Sequence, residues 1–168
     1  MNLFIVRHGE AAPVGGAVTR DADRPLTARG EEDARVIGGA LASLDGSIRQ
    51  ILSSPMARAM KTAQIIASCL PGKPPVTSTG TLAPGLHAGS LLADLKGAVP
   101  VPGLLLVGHQ PDMGELIAYL VADGSYAELA FPPGAAAKLT MEPGADPPDG
   151  RLHWLLSPDI VRRLSAKT

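Results

Sequence analysis

The chain has 168 residues and a formal net charge of −1, with 45% hydrophobic and 18% charged residues. This length predicts one domain with one core, and the charge excludes a global basic field that would collect nucleic acid or anionic lipid. The single cysteine, Cys69, excludes an internal disulfide framework. No apolar run approaches the ~20 residues of a membrane span, and residues 3–6 lack the basic flank of a signal peptide. We therefore expect a cytoplasmic protein that binds neither nucleic acid nor a membrane.

The first half of the chain predicts two units of a strand followed by a helix. Residues 2–6 and 48–53 are short apolar segments typical of strands buried in a parallel sheet. Thr27 is predicted to cap a helix that runs to about residue 44. Ser54 is predicted to cap a second helix over residues 56–70, with Pro55 as its first residue.

The second half predicts a further such unit and a different ending. Residues 74–79 indicate a weaker strand, residues 90–96 a helix, and residues 104–107 a buried strand that Gly108 ends. Pro111 suits the start of the following helix. Residues 135–141 and 152–156 indicate two antiparallel strands at a sheet edge. The chain contains no evident linker or repeat, so we predict a single domain over residues 1–168, a three-layer α/β/α sandwich with a mainly parallel central sheet.

Four polar residues are predicted to converge at one edge of this sheet. Right-handed crossovers place the carboxyl ends of parallel strands together, where α/β proteins bind their ligands. Arg7 and His8 end the first strand, and His109 ends the strand over residues 104–107. Arg58 falls in the first turn of the helix after the second strand. The two histidines can therefore be neighbours although they are 101 positions apart in the sequence.

The types of these residues indicate an anion site. Two arginines supply fixed positive charge beside two imidazoles, and predicted helix starts near Ser54 and Pro111 direct backbone N–H groups to the same edge. Arginine forks match phosphate oxygens in pairs, which favours a phosphoryl group over a carboxylate. A metal site is disfavoured because the histidines have arginines beside them rather than carboxylates or thiolates at ligand spacing. We predict neither a metal nor a cofactor.

Several segments resemble one known family in their order and spacing. They are residues 3–10 with Arg7-His8-Gly9-Glu10, then Arg24-Pro25-Leu26-Thr27 with Gly30, Ser53-Ser54-Pro55 with Arg58-Ala59 and Thr62-Ala63, Val107-Gly108-His109-Gln110-Pro111, and finally Trp154-Leu155 with Ser157-Pro158. Together they resemble the small phosphohistidine phosphatases of the histidine phosphatase (phosphoglycerate mutase-like) superfamily. The likeness spans nearly the whole chain.

The resemblance implies a role for each residue of the predicted site. His8 would attack phosphorus and carry the phosphoryl group covalently, while Arg7, Arg58 and His109 hold its oxygens. Gly9 and Arg24 are further candidates for phosphate binding, although Arg24 could equally order its own loop. An imidazole near its ordinary pKa is partly neutral at pH 7, so it can attack without a metal or a separate base.

One feature departs from the larger members of this superfamily, in which a carboxylate after the third strand protonates the leaving oxygen. Residues 77–93 contain no Asp or Glu, and the matching stretch is residues 81–85. A phosphoramidate such as phosphohistidine needs such an acid less, because its imidazole can leave already protonated on the other nitrogen. Glu10 is the candidate proton donor, with His87 and Asp112 left open.

The sequence thus predicts a phosphatase acting through His8, with a phosphohistidine-bearing protein as substrate and partner. One alternative is a small-molecule phosphomonoesterase of the same superfamily, which would need an acid outside residues 77–93. Another is a regulatory module that binds phosphate without turnover, although binding alone would not need a nucleophile such as His8. The loop with Phe131-Pro132-Pro133 is predicted to be exposed. The oligomeric state is not predicted.

Overall fold

The computed structural model describes residues 1–85, 87–96, 101–122, 129–142 and 149–166. Within these ranges the strands are β1 (Asn2–Arg7), β2 (Ile48–Ser53), β3 (Val76–Ser78), β4 (Gly103–Gly108), β5 (Ala136–Met141) and β6 (Gly150–Leu156). The α-helices are α1 (Ala28–Leu44), α2 (Ala57–Cys69), α3 (Ala88–Lys96), α4 (Asp112–Val121) and α5 (Pro158–Ser165). Two short 3₁₀ helices, Asp21–Asp23 and Gly80–Leu82, follow β1 and β3.

The six strands form one sheet in the order β3-β2-β4-β1-β5-β6. Strands β3, β2, β4 and β1 run parallel to one another, whereas β5 runs antiparallel to both β1 and β6. Helices α1, α2 and α5 pack together on one face, and α3 packs with α4 on the other. The predicted three-layer α/β/α fold with a mainly parallel sheet and an antiparallel edge is confirmed.

Strand β1 lies at the centre of the core because it is apolar on both faces. Leu3 and Ile5 pack into the cluster under α3 and α4, and Phe4 and Val6 pack into the cluster under α1 and α2. All four side chains are fully buried. Each such burial contributes roughly 1.5–3 kcal/mol, which holds the carboxyl end of β1 firmly in place.

The start of α1 agrees with the prediction and the start of α2 does not. The Thr27 hydroxyl accepts a hydrogen bond from the Gly30 N–H at 3.0 Å, as an N-cap does. Ser54 is not an N-cap, because α2 begins at Ala57 and is preceded by Met56 in that position. The Ser54 N–H donates to the Val107 carbonyl at 2.9 Å, which extends the sheet contact and delays the turn into the helix.

Other predicted boundaries also shift. Gly108 does not interrupt β4 after residue 107, as predicted, but belongs to the strand as its last residue and pairs in register with Arg7. Pro111 precedes α4 as its N-cap residue. Helix α5 is absent from the prediction, although Ser157 caps it by accepting from the Ile160 N–H at 3.3 Å and Pro158 occupies its first position.

The loop before β5 is less exposed than predicted. Phe131 is 2% exposed and packs in the cluster under α3 and α4, so its expected exposure is wrong. Pro132 is exposed and Pro133 is half-buried. In the described part of the chain, no helix combines the length and the apolar character needed to cross a membrane.

Candidate active site

The two histidines meet because β1 and β4 are neighbours in register. Arg7 pairs with Gly108, so the next residue of each strand lies at the same sheet edge. The His8 N–H donates to the Gly108 carbonyl at 3.0 Å, and the His8 and His109 ring centroids are 5.0 Å apart. The convergence predicted from the strand ends is therefore present in the structure.

The tautomer of His8 follows from its partners. Its Nδ1 lies 2.7 Å from the Gly9 carbonyl oxygen, which can only accept, so Nδ1 carries the proton. The other nitrogen, Nε2, accepts from Arg58 Nε at 3.2 Å. The lone pair of Nε2 therefore points into the cationic site, and a neutral imidazole nitrogen of this kind is chemically able to act as a nucleophile.

His109 has the opposite tautomer and is 3% exposed. Its Nδ1 lies 3.5 Å from Arg58 Nη2, which can only donate, so Nδ1 carries the lone pair. Its Nε2 then donates to the Ser54 hydroxyl at 2.8 Å. Ser54, predicted as a helix cap, thus orients a histidine of the site.

Both imidazoles are neutral in the unliganded site. Burial, followed by the charges of Arg58 and Arg7, lowers the pKa of His8 to about 4, although the Gly9 hydrogen bond raises it. Burial and the nearby His8 and Arg58 lower the pKa of His109 to about 4, against the opposing charge of Asp21. At pH 7 Nε2 of His8 is therefore unprotonated, and its lone pair accepts the hydrogen bond from Arg58.

The two predicted arginines are both partly or fully buried beside the histidines. Arg7 Nη1 donates to the Phe131 carbonyl at 2.9 Å, whereas its Nε is buried without a hydrogen-bond partner in the part of the chain that the structure describes. Arg58 is 5% exposed and lies in the first turn of α2, as predicted. A buried guanidinium N–H without a partner is energetically costly, so a nearby acceptor would stabilise it.

Arg24 lies beside the site, with its guanidinium held by the loop around it. Its Nε donates to the Ala12 carbonyl at 2.6 Å, its Nη2 to Ala11 at 3.4 Å, and its Nη1 pairs with Asp21 at 3.0 Å. Of the two roles left open for Arg24, these contacts favour ordering of the loop. Its direct contact with phosphate stays a prediction.

Gly9 and Glu10 follow His8 directly. The Gly9 N–H donates to the Thr62 hydroxyl at 3.1 Å, so this amide is already used in the unliganded site. Glu10 is exposed, and its carboxylate accepts from the Thr27 hydroxyl at 3.0 Å. Their roles in phosphate binding and proton donation stay predictions.

Two other residues considered as proton donors differ in their surroundings. Asp112 is buried at the start of α4 and accepts from the Gly85 N–H at 3.0 Å, which ties down the loop after β3. His87 is exposed before α3. Across the described ranges, no three His, Cys, Asp or Glu side chains are grouped as a metal would require.

The sequence assigned no role in the site to two supporting residues, Asp21 and Thr62. The Thr62 hydroxyl donates to the Arg58 carbonyl at 2.7 Å and accepts from Gly9, so it joins α2 to the loop after β1. The Asp21 carboxylate pairs with Arg58 Nη2 at 3.0 Å. The spacing of Asp21 and Arg24 by three positions is the signal that could have indicated a local pair.

Comparison with known proteins places the chain in a family. The sequence profile of the histidine phosphatase superfamily (branch 1) matches residues 3–82. The phosphohistidine phosphatase SixA of Escherichia coli K12 is 30% identical over 170 residues, which cover 99% of each chain. The chain belongs to the histidine phosphatase superfamily and is a hydrolase that acts on phosphate.

Two further relatives extend this result. The structure of the protein histidine phosphatase SixA complexed with tungstate matches with a TM-score of 0.82 and 28% identity, and covers 95% of this chain and 98% of that one. An uncharacterised protein of Picosynechococcus is 42% identical over 117 residues, which cover 68% of this chain and 70% of the relative. The resemblance inferred from the sequence motifs is confirmed.

Proposed function

We propose that this phosphatase hydrolyses phosphohistidine on a protein through a covalent phosphohistidine intermediate on His8. The observation that carries the proposal is the Nδ1 contact of His8 with the Gly9 carbonyl, because it leaves the Nε2 lone pair directed at the anion pocket. The unpaired Nε of Arg7 and the buried guanidinium of Arg58 supply donors for phosphoryl oxygens.

In the first step, Nε2 of His8 attacks phosphorus and the bond from phosphorus to the substrate nitrogen breaks. The electron pair of that bond returns to the substrate imidazole, which leaves neutral if its other nitrogen is protonated. Water then attacks phospho-His8, the bond to Nε2 breaks, and phosphate is released with a proton from the water. Arg7 and Arg58 stabilise the charge on the transferred oxygens in both steps.

His109 assists once the phosphoryl group is bound. A dianion beside the ring favours its charged form and raises its pKa from the low value of the free site. The Nδ1 nitrogen, which bears a lone pair in the free site, then donates a hydrogen bond to a phosphoryl oxygen. The Nε2–H bond to Ser54 is retained throughout.

The choice of phosphohistidine follows from the leaving group. Residues 77–93 contain no carboxylic acid. The carboxylate of Asp112 contacts this loop, but it accepts a hydrogen bond from the Gly85 N–H. An alkoxide would need a proton donor here, whereas a protonated imidazole would not. The full-length similarity to a protein named phosphohistidine phosphatase supports the same substrate.

We propose the cytoplasm as the site where this phosphatase acts.

The test compares the wild type with His8→Ala on a phosphohistidine-bearing protein and on an aryl phosphate ester. His153→Ala is the matched control, because His153 is an exposed histidine on β6 that contacts Thr140. We expect faster turnover of the phosphohistidine protein, a phosphoenzyme that is stable in base and labile in acid, and loss of both in His8→Ala only.

Two other outcomes would overturn the proposal. Equal or faster turnover of the ester by the wild type would assign the protein as a small-molecule phosphomonoesterase. Phosphate binding without release from either substrate would assign it as a binding module.

A further inference from the structure

We propose that Asp21 is the positioning residue for Arg58, so that the hydrogen-bond acceptors of one residue in a 3₁₀ turn orient the phosphate-binding guanidinium. The inference rests on the proposed role of Arg58 in binding the phosphoryl group. It concerns a residue outside all the segments that carry the family resemblance, and it follows from the way in which the N–H groups of Arg58 are divided.

The guanidinium of Arg58 uses its two edges for different partners. A guanidinium is planar, and its N–H groups form two forks, one with Nε and Nη2 and the other with Nη1 and Nη2. The first fork faces the histidines, with Nε 3.2 Å from His8 Nε2 and Nη2 3.5 Å from His109 Nδ1. This is the edge that faces the site of phosphoryl transfer.

Among the described residues, Asp21 alone contacts the second fork. Nη1 donates to the Asp21 backbone carbonyl at 2.7 Å, and Nη2 donates to the Asp21 carboxylate at 3.0 Å. Two hydrogen bonds to one residue determine both the position and the plane of the guanidinium. They leave the edge towards His8 and His109 available for phosphoryl oxygens.

Asp21 is itself held in place from the other side. Its second carboxylate oxygen accepts from Arg24 Nη1 at 3.0 Å, and Arg24 is tied to the Ala11 and Ala12 carbonyls. Hydrogen bonds from Arg24 and then Arg58 lower the pKa of Asp21. The carboxylate is therefore charged at neutral pH, where it accepts hydrogen bonds and cannot act as a general acid.

A contrasting role for Asp21 would be competition with phosphate for Arg58. A competitor would occupy the edge that faces the histidines, whereas Asp21 occupies the adjacent edge formed by Nη1 and Nη2. The two roles predict opposite effects of substitution. Removal of a competitor tightens phosphate binding and raises turnover at low substrate, and removal of a positioning residue lowers kcat.

The experiment compares Asp21→Ala with Asp21→Asn, which carry the same charge but differ in the acceptor offered to Arg58. We expect Asp21→Ala to lower kcat by about 10- to 100-fold with little change in KM, because small displacements of a positioned group are costly. Asp21→Asn keeps a side-chain acceptor and should retain kcat within about 5-fold of the wild type. Equal kcat for the two variants would overturn the proposal.

Asp23→Ala is the matched control. Asp23 lies in the same 3₁₀ turn, and its carboxylate pairs with exposed Arg20 at 2.6 Å. We expect wild-type kcat from Asp23→Ala. The melting temperatures of Asp21→Ala, Asp21→Asn and Asp23→Ala should be closely similar. A loss of kcat in Asp23→Ala as large as that in Asp21→Ala would assign the effect to the turn and contradict the positioning role.

A double-mutant cycle with Arg58→Lys tests whether Asp21 acts through Arg58. Lysine lacks the two forks, so Asp21→Ala should change kcat less than about 2-fold in that background. An undiminished effect would overturn the proposal. If the wild type lacks turnover, the proposed function fails, but calorimetric binding of inorganic phosphate still tests the positioning role of Asp21. Asp21→Ala should then bind phosphate more weakly than Asp21→Asn. Equal or tighter binding by Asp21→Ala would contradict the positioning role.

Discussion

At the residue scale, the site depends on one fixed nitrogen in each histidine ring. The Gly9 carbonyl fixes Nδ1 of His8, and the Ser54 hydroxyl fixes Nε2 of His109. The other nitrogen of each ring, Nε2 of His8 and Nδ1 of His109, faces Arg58. An imidazole has two distinct nitrogens, so the partner of one determines what the other can do.

We predict that Ser54→Ala lowers kcat by roughly 10-fold, the equivalent of one lost hydrogen bond of about 1.4 kcal/mol. Without the hydroxyl, the buried Nε2–H of His109 loses its partner and the ring is no longer held in one tautomer. Steady-state kinetics at pH 7 measures the effect. Ser53→Ala is the control, because its equally buried hydroxyl bonds the Ser54 carbonyl and no histidine. Equal losses in both variants would contradict the prediction.

At the element scale, the start of α1 supports the loop that follows His8, the proposed nucleophile. The Thr27 N–H donates to the Glu10 carbonyl at 2.9 Å, and a Cβ added to Gly30 would lie 2.1 Å from that same oxygen. A Cβ at Gly9 would lie 2.6 Å from the Gly30 carbonyl oxygen. Only glycines permit this approach of helix and loop, two residues from His8.

We predict that Gly30→Ala displaces this loop. The added methyl group should lower the free energy of unfolding by about 1–3 kcal/mol, as overpacking does, and should lower kcat at least 10-fold because His8 moves with its neighbours. Denaturant unfolding and steady-state kinetics measure the two effects.

Gly39→Ala is the matched control for this prediction. It lies on the same helix, and its added Cβ meets no atom within 4 Å. That variant should keep wild-type kcat and gain up to about 1 kcal/mol from helix propensity. Wild-type kcat in Gly30→Ala would show that the loop tolerates the displacement.

At the scale of the whole molecule, the fold keeps two neutral imidazoles beside two guanidinium groups. Both histidines have a pKa of about 4, well below the value of 6.5 for an unperturbed histidine. Between these pH values the unfolded chain binds protons at both positions and the native protein does not. The free energy of unfolding therefore rises with pH across this window.

We predict that the free energy of unfolding falls as the pH is lowered from about 6.5 to about 4, because burial disfavours the protonated rings. His109→Gln should reduce this slope, and His153→Gln, which alters an exposed histidine, should not. Urea unfolding at pH 4.5, 5.5 and 6.5 measures the slopes. A slope in His109→Gln equal to that of the wild type would contradict the prediction.

The sequence alone determined the fold class and most of the elements, and it predicted four residues that the structure brings together at one edge of the sheet. Residues 48–53 coincide with β2, and Thr27 caps α1 as predicted. His8, His109, Arg7 and Arg58 were identifiable because each follows a local signal, either the end of an apolar strand or the first turn of a helix. Such signals depend on neighbours in the chain, so periodicity and capping residues reveal them.

Only the tertiary structure decided how those residues are held. The tautomers of His8 and His109, the burial of Phe131 and the two edges of Arg58 depend on contacts between segments far apart in the chain. Asp21 is 37 positions from Arg58, and Ser54 is 55 from His109. Local patterns carry no record of such contacts, because burial and hydrogen-bond geometry arise only when the sheet and both helix layers have packed.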